Sequence, residues 1–283
     1  MELSILKLKA NPMIRKQILT MSALLICFQA SAHAASIAID GNLADWGLQR
    51  NGNAADWNPN PLLVPPNQYK VEDQTGLNTR LFPGWGGQAY DAEAIYTFVD
   101  SNSLYIALVT GLSPDTPDNH AGNSYGPGDF AIDFGGDGSF EFGIETTGTN
   151  KGKVYQVGAW EYGLWDIAGE YNPSNPDLAH PTSIKTGTQV GIGELIYTNS
   201  WFKKMGEYVK DKHYVIEAAI PLSVFDGFSG KFDVHWTMNC ANDAIWADPI
   251  LPATVPEPAS IALLALGLFA MAAKRKPTAL LTA

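Results

Sequence analysis

The sequence predicts an all-β fold, an antiparallel β-sandwich of jelly-roll character, flanked by an N-terminal signal helix and a short C-terminal transmembrane helix. Three observations carry this. Through the middle of the chain apolar and polar residues alternate at the period of a strand, and helical periodicity is scarce there. Clusters of Gly, Pro, Asn and Asp separate the alternating runs. Residues 96–99 and 104–109 flank Asp100-Ser101-Asn102-Ser103, a sequence suited to a turn. A second hairpin follows, in which Phe130, Ile132 and Phe134, then Phe140, Phe142 and Ile144, are expected on one face across Gly135-Gly136-Asp137-Gly138. Asp129, Asp133, Glu141 and Glu145 are expected on the other. Tyr214, Ile216, Ala218 and Ile220 alternate up to Pro221, and Phe232, Val234, Trp236 and Met238 alternate near the end. Residues 51–66 and 171–181 read as long loops, and only 199–205 and 222–225 suggest short helical turns. With no internal repeat and no linker, residues 35–254 are expected to form one domain, enough chain for a single well-buried core.

Both ends carry addresses rather than fold. Residues 1–34 read as a secretory signal peptide: Lys7, Lys9, Arg15 and Lys16 are the positive region, 18–28 is mostly apolar, and Ala32-His33-Ala34 offers small residues to signal peptidase. Cys27 raises a lipoprotein alternative, against which the bulky Ile26 stands. Once the signal is removed Cys240 is the one remaining cysteine, so no internal disulfide can form. At the other end Pro256, Glu257 and Pro258 precede an apolar run over 259–273, then Lys274, Arg275 and Lys276. At about 1.5 Å per residue that run spans about 22 Å, short of the roughly 30 Å hydrocarbon core. It inserts only with thinning or snorkelling, and the basic cluster stays on the cytoplasmic side.

The middle carries 27 acidic against 11 basic side chains, a net of −16. Such a balance excludes nucleic acid, whose binding depends on Lys and Arg neutralising phosphates. It suits calcium, neutral sugars or a solvated surface. At 46% apolar and 11% aromatic residues, the chain is too rich in core formers for the middle to be disordered.

Two resemblances follow from particular motifs. Val255-Pro256-Glu257-Pro258, the short apolar helix and the Lys274-Arg275-Lys276 cluster resemble the PEP-CTERM sorting signal of Gram-negative bacteria, over 255–276. The tail at 277–283 runs longer than that pattern. The resemblance implies recognition by an exosortase, cleavage near Pro-Glu-Pro, transient membrane anchoring through the C-terminal helix, and delivery to the cell surface or extracellular matrix. Separately, Ile39-Asp40-Gly41-Asn42-Leu43-Ala44-Asp45-Trp46 resembles the opening motif of family-nine carbohydrate-binding modules and related DOMON-like sandwiches. Asp100-Ser101-Asn102-Ser103-Leu104-Tyr105-Ile106-Ala107 and Tyr214-Val215-Ile216-Glu217-Ala218-Ala219-Ile220-Pro221 are similar to their central and late strands. These motifs imply a scaffold rather than a ligand, and the paired sugar-stacking aromatics of that family have no residue-by-residue match.

Signatures of catalysis fail on context. Gly122-Asn123-Ser124-Tyr125-Gly126 satisfies G-x-S-x-G, but neither a strand before it nor a helix after it is expected. The histidines show no short metal-binding spacing. Aromatics are the better lead, because a flat ring beside amides or carboxylates suits a sugar's C–H faces and hydroxyl rim. Candidate ligand-binding residues are Trp85, set between glycines, and Trp160, Tyr162 and Trp165; Trp46 and Trp236 are expected in the core. Candidate metal ligands are Asp91 and Glu93, two apart on one strand face, with Asp133, Asp137 and Asp243; Asn242 is a further candidate ligand or cap. Hard oxygen donors make calcium the expected metal. The expected function is a non-enzymatic, exported, surface-sorted protein that associates with extracellular polysaccharide. A matrix protein without a specific ligand, or an exported polysaccharide hydrolase, fits the same residues.

Overall fold

Two antiparallel sheets build the domain. In chain order the strands are β1 (Tyr69–Val71), β2 (Ala92–Val99), β3 (Ser103–Thr110), β4 (Phe130–Phe134), β5 (Phe140–Ile144), β6 (Lys153–Tyr162), β7 (Pro181–Ile192), β8 (Glu194–Tyr197), β9 (Tyr214–Pro221), β10 (Gly230–Thr237), β11 (Ala244–Ala247) and β12 (Ile250–Leu251). The smaller sheet runs β1-β2-β3-β9-β8 and the larger β11-β10-β4-β5-β6-β7, with β12 also paired to β10. The structure, a computed structural model, describes residues 37–60, 68–74, 80–166 and 168–251. The expected signal segment, the sorting residues Pro256, Glu257, Pro258, Lys274, Arg275 and Lys276, and the segments expected to form the two flanking helices lie outside the described residues. Among the described residues no helix is long and apolar enough to cross a membrane.

Alternation along each strand explains the sandwich. One face of the smaller sheet presents Ile95, Leu104, Ile106, Leu108, Ile216 and Ile220 to Phe130, Ile132, Phe142, Val234 and Trp236 of the larger sheet, all buried in one core. The opposite face of the smaller sheet is covered too. Trp46 and Trp57 from the N-terminal segment, with Met205, pack there on Tyr96, Val109 and Val215. The smaller sheet is therefore a middle layer, which is why strands β2, β3 and β9 are apolar almost throughout.

The opening motif is the clasp that holds this outer layer. Glu217 points out of β9 on the face away from Ile216 and Ala218 and is fully buried. One of its oxygens accepts from Trp46 Nε1 at 2.8 Å. The other accepts from the amides of Asp40 at 3.1 Å and Gly41 at 2.6 Å. Gly41 takes φ +79°, and a Cβ there would collide with the Thr198 side chain, so the turn needs glycine. Asp45 steadies the other side by accepting from Ala38 N at 2.6 Å. In this chain the Asp-Gly…Trp and Val-Ile-Glu motifs are two halves of one structural contact.

Two elements depart from expectation. Phe140 does not join the inner face: the pairing slips between Ile132 and Asp133, setting Phe140 opposite Asp133. Such a bulge turns a side chain to the other surface, and Phe140 lies against His235 on the outer face. Residues 199–205 form bends and a bridge between Phe202 and His213 rather than a helical turn, whereas Leu222–Phe225 is a 3₁₀ turn as expected.

Candidate functional site

At one end of the sandwich three loops converge. Gly84 N donates to Asn242 O at 2.8 Å, Ala244 N to Phe82 O at 2.8 Å, and Leu164 N to Cys240 O at 2.9 Å, tying the 80–91 loop, the β6–β7 connection and the 238–243 turn together. Gly84 is required there, because a Cβ would run into the Trp165 ring. Between these loops lies a cleft of about 350 Å³, lined among others by Trp85, Tyr90, Tyr125, Trp165, Tyr171 and Asn242. The volume is in the range of small-molecule sites.

The walls differ in character. Trp85 is 50% exposed and Tyr171 63% exposed, while Trp165 is only 9% exposed. Trp165 is held by its Nε1–H, which donates to Asn242 Oδ1 at 2.8 Å, and it meets Tyr171 edge-on at 6.0 Å between ring centroids. The Arg80 guanidinium lies 4.9 Å from the Trp85 ring centre. Asn123 completes the rim from the 122–126 loop, in a left-handed conformation with φ 52° that asparagine tolerates. In that loop the Ser124 hydroxyl donates to Pro117 O at 2.6 Å. An aromatic floor with amide groups at its edge suits a sugar ring.

Of the aromatics expected to bind ligand, the structure brings Trp85 and Trp165 together and places the other two elsewhere. Trp160 is as buried as Trp165: its indole N–H donates to Phe140 O at 2.9 Å and its ring packs edge-on against the Phe140 ring. Tyr162, half-buried at the end of the same strand, does not line the cleft. The strand ends at Tyr162 and the chain turns at Gly163, where a Cβ would meet Ala241 and Cys240. That turn separates rings that are neighbours in sequence. Tyr90, Tyr125 and Tyr171 escaped the sequence reading because each lies on a different loop.

The metal candidates fall into two groups. Asp133 and Asp137 meet Glu141 at the β4–β5 hairpin, with carboxylate oxygens within 4.8 Å of one another. Here Asp133 already serves the turn: it accepts from Gly136 N at 3.1 Å, Asp137 N at 3.4 Å and Gly138 N at 2.7 Å. Replacing Asp133 by Ala strips the turn of these acceptors and is expected to cost about 1–2 kcal/mol. A urea titration followed by Trp fluorescence checks this, and an unchanged midpoint would show the turn to be indifferent to its carboxylate.

Asp91, Glu93 and Asp243 are buried, Asp91 and Asp243 next in the chain to the cleft residues Tyr90 and Asn242, but among the described residues only the hairpin trio has metal-ligand spacing. Asp243 accepts from Ala92 N at 2.6 Å and Phe82 N at 3.4 Å. Glu93 Oε1 lies 3.2 Å from His213 Nδ1. Burial, then Glu93 and Asp243, pushes the Asp91 carboxyl up to about 11. Burial likewise raises Asp243 to about 7, and burial with Asp243 nearby raises Glu72 to about 8. Sequence reasoning missed Glu72 and His213, which carry no local signal.

A second hollow of about 300 Å³ lies on the outer face of the larger sheet, lined by Asp133, Phe140, His180, Asp233, His235 and Trp246 among others. His180 Nδ1 and His235 Nε2 are 3.0 Å apart, and Trp246 stacks over both rings.

Comparison with known proteins bears on the end of the chain. The family profile described as the PEP-CTERM protein-sorting motif matches residues 254–276. No curated protein and no solved structure matches the chain. The sorting motif marks the chain for export, processing by exosortase and delivery to the cell surface.

Proposed function

We propose that this exported, surface-sorted protein binds extracellular polysaccharide, with the cleft between Trp85, Trp165 and Tyr171 as the sugar subsite and without catalysing its cleavage. The observation that supports this is the exposure of Trp85 and Tyr171. Two large rings left half in water beside the amides of Asn123 and Asn242 are costly in a domain that buries Trp46, Trp57 and Trp236 almost completely. A glycan chain covering them removes apolar area from water and offers hydroxyls to the amides. The strong negative charge favours a neutral or cation-bridged polysaccharide over a polyanion.

Affinity electrophoresis of the full chain through gels containing polysaccharide, the producer's own included, tests the reading. Retardation is expected, and Trp85→Ala or Tyr171→Ala should weaken it about tenfold or more, a loss near 1.4 kcal/mol, without lowering the melting temperature. Trp160→Phe should leave retardation unchanged. A chain retarded by no polysaccharide would be a structural surface protein without a ligand, and release of reducing ends would make it a hydrolase; either result overturns the reading.

A further inference from the structure

The hollow on the outer face of the larger sheet is walled by rings and furnished with acceptors. His235 of β10 stands opposite Trp246 of β11 in register, and the exposed Trp246 ring stacks over both His235 and His180. Burial holds both imidazoles below their usual range, so they are neutral near pH 7. Asp177 Oδ2, 3.6 Å from His180 Nε2, favours a proton on that nitrogen. His180 Nδ1 then accepts from His235 Nε2–H at 3.0 Å, which leaves His235 Nδ1 a bare acceptor. That nitrogen has no partner among the described residues, on a ring only 3% exposed that lines the hollow. A buried acceptor without a donor is costly. Asp233, hydrogen-bonded to Asp248, lines the hollow beside it with further lone pairs. A ligand rich in hydroxyl donors, with apolar faces for Trp246 and Phe140, meets all of these groups.

We infer that this hollow is a second sugar subsite, and that one polysaccharide chain runs from the aromatic cleft past Phe82 into it. The inference takes the cleft between Trp85, Trp165 and Tyr171 as the first subsite and rests on that assignment. Among the described residues, five of the ten exposed large apolar side chains, Tyr171, Trp85, Phe82, Leu178 and Trp246, belong to the two hollows or to the segments that line them. Such a concentration marks an interaction surface. The 80–91 loop serves both ends of it. Half-exposed Phe82 sets its ring edge-on to His180 at 6.1 Å, and three residues on Trp85 lines the cleft. Asn242 of the cleft and Trp246 of the hollow are four residues apart, so their Cα atoms are separated by at most about 14 Å. Trp165 O accepts from Asp177 N, which ties the segment carrying His180 to the cleft wall. A short run of linked sugars covers such a gap, and the second contact of a bound chain is intramolecular, so two modest subsites act as one strong one.

The test takes a polysaccharide that retards the full chain in affinity electrophoresis, and size-fractionated oligosaccharides released from it by partial acid hydrolysis. Affinity of the wild type for these oligosaccharides, measured by calorimetry, is expected to rise with length and then level off. Trp246→Ala should weaken binding of the intact polysaccharide about tenfold and abolish the rise with length, while the shortest oligosaccharides bind as they do to the wild type. Trp85→Ala should weaken binding at every length. Should Trp246→Ala lower the melting temperature, Trp246→Leu, which keeps apolar cover on the imidazoles but removes the flat ring, carries the same decision. Wild-type binding at every length in the Trp246 variants would overturn the inference and leave the cleft reading intact. Equal loss at every length in Trp246→Ala would make the hollow a separate site and overturn the shared chain. A wild type that no polysaccharide retards overturns the cleft reading and this inference with it.

Discussion

Replacing Glu217 by Ala is expected to destabilise the domain by about 3–5 kcal/mol, because one buried carboxylate serves three donors whose other options are few. Trp46 loses the acceptor for its indole N–H in a region where no water reaches, since both Trp46 and Glu217 are fully buried. The amides of Asp40 and Gly41 lose theirs at the same time, so the turn that delivers Trp46 and Leu43 to the outer face of the smaller sheet is released. Glu217→Gln keeps the shape and one acceptor, and a smaller loss, about 2 kcal/mol, is expected. Urea unfolding followed by Trp fluorescence at pH 7 measures both. A change below about 1 kcal/mol in Glu217→Ala would show that the N-terminal layer is held by apolar contact alone.

The second large effect concerns pH. Burial raises Glu217 to about 7, against which the Gly41 amide and the Trp46 indole pull it down. Burial also raises Asp129 to about 7, partly offset by the amides of Ile184 and Thr146. Both folded values lie above those of the unfolded chain, so the native state binds protons more tightly than the unfolded state between them. Their contribution to stability is complete below about pH 4, falls as pH rises, and is lost above about pH 7. Each group accounts for something on the order of 3 kcal/mol over that window. Asp56 has the opposite sign: burial pushes its carboxyl up, but the backbone amides of residues 51–53 together pull it below the usual range. Its contribution is lost as pH falls below about 4. The melting temperature is therefore expected to peak in mild acid and to fall by at least about 5 °C by about pH 8. Glu217→Gln, which cannot ionise, should flatten that fall. A melting temperature constant from about pH 5 to 8 would refute the assignment for both groups.

Much of the sandwich was legible because alternate side chains of its central strands enter the core between the sheets, and that period of two is printed in the sequence even where the opposite face is covered as well. The β2–β3 and β4–β5 hairpins, β9 and β10 follow it closely. Strands β6 and β7 were not legible. Strand β7 is exposed along most of its length, and its Thr, Gly and Gln residues face water, so no hydrophobic alternation is imposed on them. The bulge that turns Phe140 outward is equally silent, since it depends on pairing with β4 rather than on the residues of β5. For the cleft, the glycines around Trp85 signalled a close approach, and what they admit is the Trp165 ring against Gly84 and Tyr90 against Gly86. Trp160 and Trp165 looked alike, and only the end of β6 between them decides that one is pinned to Phe140 and the other faces the cleft. Asp91, Glu93 and Asp243 were marked as acids of one kind; that Asp91 meets Asp243 while Glu93 meets His213 is a property of three dimensions.

The clasp between Asp40, Gly41, Trp46 and Glu217 joins parts of the chain more than 170 positions apart. Ribosomes deliver the first half of that contact long before the second, so the leading segment has to wait, unsatisfied, until most of the domain has followed it. Closure by so distant a pairing is slow. In this exported polypeptide the outer layer of the smaller sheet is therefore secured only after the far end of the domain has been made.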